Sequence, residues 1–165
     1  MPSNHDIAKP ESATQARVLQ LFQQDLGYEY LGDWSERAGN SNIETGLLTA
    51  YLSQAGYTPA QISAALYQLN KEASHPDRSL YANNQAVYGL LRYGVQVKTE
   101  AGKPMATVRL INWEQPEHNH FAVAQEVTLK KGDALERRPD VVLYVNGIAM
   151  GVLELKNSRV SIGDG

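Results

Sequence analysis

Two apolar runs flank Asn146-Gly147, and each carries a carboxylate near its outer end. The first is Pro139-Asp140-Val141-Val142-Leu143-Tyr144-Val145; the second is Ile148-Ala149-Met150-Gly151-Val152-Leu153-Glu154-Leu155-Lys156. Asn-Gly between such runs is a strong hairpin signal, because both residues tolerate the left-handed backbone that a tight antiparallel turn needs. The chain must therefore build around a hairpin whose two arms hold acids. Charged side chains are rarely buried without partners, so Glu154 and Lys156 inside an apolar run call for an explanation. Oxygen ligation of a metal ion is the sharpest one, and a surface ion pair of Glu154 with Lys156 or Lys130 is the plainer one.

Strand parity decides between them. A two-residue loop pairs Val145 with Ile148 and Asp140 with Leu153, which puts Glu154 on the far face of the sheet from Asp140. A three-residue loop of Val145-Asn146-Gly147, with Gly147 left-handed in a bulge, pairs Tyr144 with Ile148 and Asp140 with Val152. Glu154 then lies diagonal to Asp140, roughly 7–8 Å away between backbones, with Lys156 beyond it on the same face. Val141, Leu143, Leu153 and Leu155 are left for a core. The expectation is this bulged, odd-length turn. Asp140 and Glu154 would hold Mg²⁺, with the Leu155 carbonyl as a possible third oxygen, while Lys156 would orient or help deprotonate a water and offset charge on the reacting phosphate.

The rest of the composition narrows the field. The 165 residues, 42% hydrophobic and 20% charged, suit one compact soluble unit. No cysteine occurs, which excludes disulfides, thiolate zinc sites and a cysteine nucleophile, and fits a reducing cytoplasm. The start of the chain is polar and no apolar stretch approaches the roughly 20 residues of a membrane span, so a cytoplasmic protein without membrane contact is expected. A net charge of −3 argues against bulk coating of nucleic acid, so any such contact must be local. The local candidate is Lys130 and Lys131 with Arg137 and Arg138, interrupted by Asp133 and Glu136, read equally as a phosphate contact or as a solvated loop.

Along the chain, residues 1–11 read as a loose tail. Ser12 or Thr14 caps a helix over Ala16, Val18, Leu19, Leu21, Phe22 and Leu26, stopped by Gly27. Residues 28–40 show no period and read as a connection. Ser41-Asn42-Ile43-Glu44 has capping-box spacing ahead of a helix bearing Leu47, Leu48, Tyr51, Leu52 and Ala55. Thr58-Pro59 opens another, with Ile62, Ala65, Leu66 and Leu69 on one side, and a further helix spans 81–92. From Gly94 onward the pattern turns strand-like, over 95–98, 107–111, 121–129, 140–145 and 148–155. Helices followed by strands predict mixed α/β packing: a helical part over 12–93 and a sheet-bearing core over 94–165, forming one compact unit.

At these residues the chain resembles the PD-(D/E)XK nuclease superfamily. Pro139-Asp140 matches the first element and Glu154-Leu155-Lys156 the second, fourteen positions on. The flanking text Arg137-Arg138-Pro139-Asp140-Val141-Val142-Leu143-Tyr144-Val145-Asn146-Gly147 and Gly151-Val152-Leu153-Glu154-Leu155-Lys156-Asn157 resembles the N-terminal nuclease region of type I restriction enzyme R subunits. So do Asn119-His120-Phe121-Ala122-Val123, Leu110-Ile111-Asn112-Trp113 and Gly27-Tyr28-Glu29-Tyr30-Leu31-Gly32-Asp33-Trp34. The resemblance implies a restriction-endonuclease-like core, with a mixed sheet flanked by helices. It also implies a Mg²⁺-dependent, site-specific endonuclease acting on double-stranded DNA beside methyltransferase and specificity subunits, driven by an ATP-dependent motor. No Gly-x-x-x-x-Gly-Lys-Ser/Thr loop occurs here, so ATP would act only through a motor region outside this chain.

The family also carries a Gln and a Tyr on a helix after the Glu-x-Lys strand; the sequence stops at Gly165 before it, which predicts a truncated chain. A catalytically inactive remnant that docks DNA or subunits is the competing expectation. An upstream helical acid joins the metal site in many members, and Glu44 is the candidate by position, although a capping box already explains it. His118 and His120 lack a third ligand nearby and read as surface residues. No serine sits in a Gly-x-Ser-x-Gly elbow.

Overall fold

The structure is a computed structural model that describes residues 9–131 and 135–156. Helix α1 (Lys9–Gln20) runs on through a wider π-type turn (Leu21–Asp25) to β1 (Glu29–Asp33). Then come α2 (Thr45–Gln54), α3 (Pro59–Ala73), α4 (Leu80–Tyr93), β2 (Val95–Val97), β3 (Ala106–Val108), a 3-10 turn (Pro116–His118), β4 (Phe121–Gln125), β5 (Leu129–Lys131), β6 (Leu135–Arg137), β7 (Val141–Val145) and β8 (Ile148–Leu153). The expected mixed α/β class is present. Among the described residues no helix is long and apolar enough to cross a membrane. The residues 1–8 of the expected tail, Asp133 and the Asn157 end of the family text lie outside the described residues. Helix α1 begins at Lys9, ahead of both expected caps.

The chain divides into two compact units. The first holds the described residues of Met1–Asn42, Phe121–Tyr144 and Ala149–Gly165. Its sheet has the order β1-β4-β7-β8, mixed because β1 runs parallel to β4 while β7 and β8 form an antiparallel hairpin. Period-two alternation along the strands sorts side chains onto two faces. Ala122, Ala124, Val142 and Tyr144 are buried with Trp34 on one; Val123 and Val141 are buried against Leu19 on the other, joined by half-buried Phe22, Tyr28, Leu143 and Leu153. Strand β1 falls where the sequence pattern suggests only a connection. Its five residues include Gly32 at φ 116°, and the register slips between Tyr30 and Gly32, so the ladder with β4 makes it a strand where local alternation does not. Strand β4 is shorter than the expected 121–129 because Glu126 takes a left-handed φ of 52° and ends it.

The second unit, Ile43–His120 with Val145–Ile148, places α2, α3, α4, β2 and β3 around a core that includes Leu48, Leu52, Ile62, Leu69, Val95 and Leu110. Thr58 caps α3 as the sequence predicts, and completes a capping box with Gln61. The helix expected to open at Ser41 starts later, with Glu44 at its cap position. Ile43 is drawn into an antiparallel bridge with Ile148, the Glu44 N–H donates to the Gly147 carbonyl at 2.7 Å, and α2 starts only at Thr45, with no cap bond from the Glu44 side chain. Extended backbone at 43 keeps the helix from opening at 41.

Candidate active site

The hairpin turn differs from the expected one. β7 ends at Val145 and β8 begins at Ile148, leaving two turn residues, both left-handed: Asn146 at φ 52° and Gly147 at φ 83°. These are the signs of a type I′ turn, whose twist matches that of the strands it joins. Asn146 is locked in place. Fully buried, it accepts the His120 N–H at 2.7 Å and donates to the Leu110 carbonyl at 2.9 Å and to Asn119 Oδ1 at 2.8 Å. The three-residue bulged loop over Val145-Asn146-Gly147 is thereby ruled out.

A two-residue turn followed by an unbroken β8 would send Glu154 to the wrong face, yet β8 is not unbroken. Ala149 packs with the Val142 and Tyr144 face. Two residues on, a Cβ at Gly151 would lie 3.3 Å from Leu143 Cδ1 and 3.7 Å from its Cβ, on the opposite face, and Leu153 packs there beside Val141. Residues 149, 151 and 153 share a face in a regular strand; here the parity breaks between Ala149 and Gly151. One extra residue is absorbed at Met150, which is the definition of a bulge. With Leu153 on the Val141 face, the next residue turns to the face of Asp140, Val142 and Tyr144. Asp140 and Glu154 lie just beyond the outer ends of β7 and β8, where continued alternation would set them opposite each other.

Around Asp140 the backbone is tied down from several sides. Its Oδ2 accepts the Leu155 N–H at 2.6 Å, bridging the two arms at the Glu154-Leu155-Lys156 end. Its carbonyl accepts the Glu126 N–H at 2.9 Å and Gln15 Nε2 at 3.5 Å, and the Pro139 carbonyl accepts the Val127 N–H at 3.3 Å. The Glu126 carboxylate is gripped in turn by Gln15 Nε2 at 3.1 Å and Arg138 Nε at 3.1 Å. Gln15 and Glu126 were not singled out in the sequence. The signal that finds them is the left-handed Glu126, a strained non-glycine residue of the kind that concentrates near functional sites. Glu154 and Lys156 are exposed and Asp140 half-buried, so ligand or substrate can reach all three.

The remaining candidates are dispersed. Arg138 is engaged by Glu126 and Arg137 is exposed. Lys130 and Lys131 lie on β5, where Lys130 is registered against Glu136 of β6, so a two-stranded ribbon replaces the expected loop. Glu44 is buried in the second unit. Among the described residues no three acids or imidazoles gather into a metal cluster.

A mixed sheet ending in a hairpin whose Asp140 carboxylate is tied to the Leu155 N–H defines an α/β protein with acids at one end of that hairpin. Over residues 8–165 the sequence matches the family of type I restriction enzyme R protein N termini, and the chain belongs to that family. It is similar to the HindI type I restriction enzyme endonuclease subunit of Haemophilus influenzae, 33% identical over 102 residues, covering 60% of this chain and 10% of that protein. It is also similar to a Methanocaldococcus jannaschii protein bearing the provisional name of MjaIXP type I restriction enzyme endonuclease subunit. There the identity is 24% over 162 residues, covering 94% of this chain and 15% of that protein. The chain thus spans a small part of the length of these relatives. No solved structure matches it.

Proposed function

We propose that this chain is the nuclease part of a type I restriction R subunit and hydrolyses phosphodiesters of double-stranded DNA at the shared face of Asp140, Glu154 and Lys156, as in PD-(D/E)XK enzymes. One observation supports the reading: the Leu155 N–H donates to Asp140 Oδ2 at 2.6 Å, which ties the Glu154-Leu155-Lys156 end of one arm to the acid of the other. The donors are hard oxygens, the Asp140 and Glu154 carboxylates with the Leu155 carbonyl between Glu154 and Lys156. Such a set suits Mg²⁺, which keeps several waters and needs few protein ligands. Bound there, Mg²⁺ would supply charge to the phosphate and acidity to a water.

The chain's own groups do the rest. The Leu155 N–H fixes one oxygen of Asp140 and so orients the other. Lys156, as its ammonium, would face the charge that builds on the phosphate and stabilise it while orienting the attacking water, whose proton passes to solvent. The grip of Glu126 and Gln15 on the Asp140 backbone keeps the geometry ready before substrate arrives. ATP-driven translocation and DNA sequence reading are assigned to other parts of the complex, with methyltransferase and specificity subunits as partners.

The test is cleavage of supercoiled plasmid with Mg²⁺, by this chain alone and with complementing motor-bearing and methyltransferase subunits, against Asp140→Ala. Reconstituted wild type is expected to linearise the plasmid while Asp140→Ala leaves it closed. Equal cutting by both would remove Asp140 from the mechanism.

A further inference from the structure

The second unit carries a cleft that the hairpin chemistry leaves unused. Two adjoining cavities of about 610 and 370 Å³ share Tyr51, Ala55 and Asn112 as wall, which is the size range of small-ligand sites. The smaller is also lined by Tyr57, Arg92, Arg109, Trp113 and Glu114. Trp113 is 44% exposed although its ring is fixed, with Nε1 donating to the Leu91 carbonyl at 2.8 Å. The Arg92 guanidinium sits 5.7 Å from that ring's centre, within cation–π range. The Arg109 backbone N–H donates to the Tyr57 hydroxyl at 3.0 Å, which fixes a second ring in the wall beside the second arginine. Among the described residues neither arginine has an ion-pair partner, and Glu114 is the acid that lines the same cavity.

The wall is stiff for a reason other than packing. Residues 112–119 bury no side chain fully, yet the Asn112 N–H donates to Asn119 Oδ1 at 2.8 Å, Asn119 Nδ2 returns a bond to the Asn112 carbonyl at 2.9 Å, and Asn146 anchors Asn119. A loop held rigid by amide bonds while presenting an open indole is organised for binding. Helix α4 extends the surface. Tyr81 and Tyr88, 77% and 62% exposed, stand seven residues apart, and Arg92 follows at four more, so all three share one face of a helix whose only charge is Arg92.

We infer that this cleft binds a nucleotide unit of an unpaired DNA strand, its base stacked on Trp113 and its phosphate held by Arg92 and Arg109, with Tyr88 and Tyr81 continuing the track. Stacking rings interleaved with guanidinium groups are the features by which single strands are held without sequence reading. A chain of net charge −3 needs such a local site if it is to hold a strand at all. The site lies within the second unit and does not depend on the metal chemistry.

The experiment uses the whole chain in EDTA at low salt, titrated with (dT)12, with a duplex of equal length and with dTMP, following tryptophan emission and the anisotropy of labelled strands. Trp34 is buried, so quenching reports Trp113 and disappears in Trp113→Phe. The expected result is that (dT)12 binds at least tenfold tighter than duplex or dTMP. Arg92→Ala with Arg109→Ala weakens it at least tenfold and lowers the log–log salt slope by about 1.4. Glu114→Gln tightens binding severalfold, a gain that misfolding cannot produce, and Asp140→Ala binds (dT)12 as wild type does. An unchanged dissociation constant in the double arginine variant overturns the inference, as does preference for duplex. Competition by dTMP as strong as that of (dT)12 overturns the strand in favour of a free nucleotide. None of these outcomes touches the plasmid assay, so the two readings fail separately.

Discussion

The β8 bulge makes an unusual demand on chain length: one residue fewer should be tolerated and one more should not. Deleting Met150 leaves Gly151 opposite Leu143, Leu153 opposite Val141 and Glu154 opposite Asp140, because the two-residue turn then suffices without a bulge. The faces seen in the structure are unchanged, with Leu153 still beside Val141. What is lost is the packed half of a side chain that is 46% exposed, about 1 kcal/mol if full burial is worth 1.5–3. That corresponds to a melting shift of about 2–4 °C in a domain of this size. Inserting one alanine between Met150 and Gly151 instead rotates Leu153 out of the Val141 cluster and turns Glu154 toward it. The insertion also breaks the 2.6 Å bond from the Leu155 N–H to Asp140.

A metal site losing a direct ligand must suffer more than the tenfold to hundredfold seen when outer partners are lost, so Mn²⁺ binding should weaken by at least about 100-fold. Mn²⁺ takes the same oxygen ligands as Mg²⁺ and is read by calorimetry or electron paramagnetic resonance. Hydrogen exchange at the Leu155 amide gives a second readout, protected in wild type and in the deletion, fast in the insertion. An insertion variant that binds Mn²⁺ like wild type, or a folded deletion variant that does not, refutes the parity reasoning.

Two further outcomes follow from the same geometry. At Gly147 an added Cβ would lie 2.7 Å from the Glu44 carbonyl oxygen and 2.8 Å from the Leu48 nitrogen, at a φ of 83°. Left-handed strain and overpacking against backbone together make Gly147→Ala destabilising by about 2–5 kcal/mol, read as a fall in melting temperature, and a variant as stable as wild type contradicts the turn geometry. The Ser35 N–H, at 2.9 Å, holds the Asp33 carboxyl below the ordinary aspartate range, helped by Gln125 and Arg138. A lowered value stabilises the fold above the ordinary carboxylate range and is lost as pH falls through the folded-state value. Asp33→Asn should therefore flatten part of the acid limb of stability, and an NMR titration of Asp33 with a midpoint at or above that of a free aspartate would contradict this.

The sequence by itself determined the hairpin and its acids. Asn146-Gly147 between apolar runs can do little else, and the text around Asp140 and Glu154-Leu155-Lys156 is strong enough to name the family. It also determined the Thr58 cap of α3 and the placing of Val141 and Leu143 on one apolar face, because these follow from spacing along one segment. Tertiary structure decided the rest. Whether Glu154 meets Asp140 depends on which face each part of β8 takes, and that is set by the packing of Ala149 with Tyr144 and of Leu153 with Val141 and Leu19, which no local pattern announces. Strand β1 exists because β4 offers it a ladder, and α2 starts late because Ile43 pairs with Ile148. Gln15 and Glu126 reach Asp140 from 125 and 14 residues away along the chain, and only folding brings such groups together. Local sequence sets which residues can do chemistry; strand pairing at long range sets which of them meet.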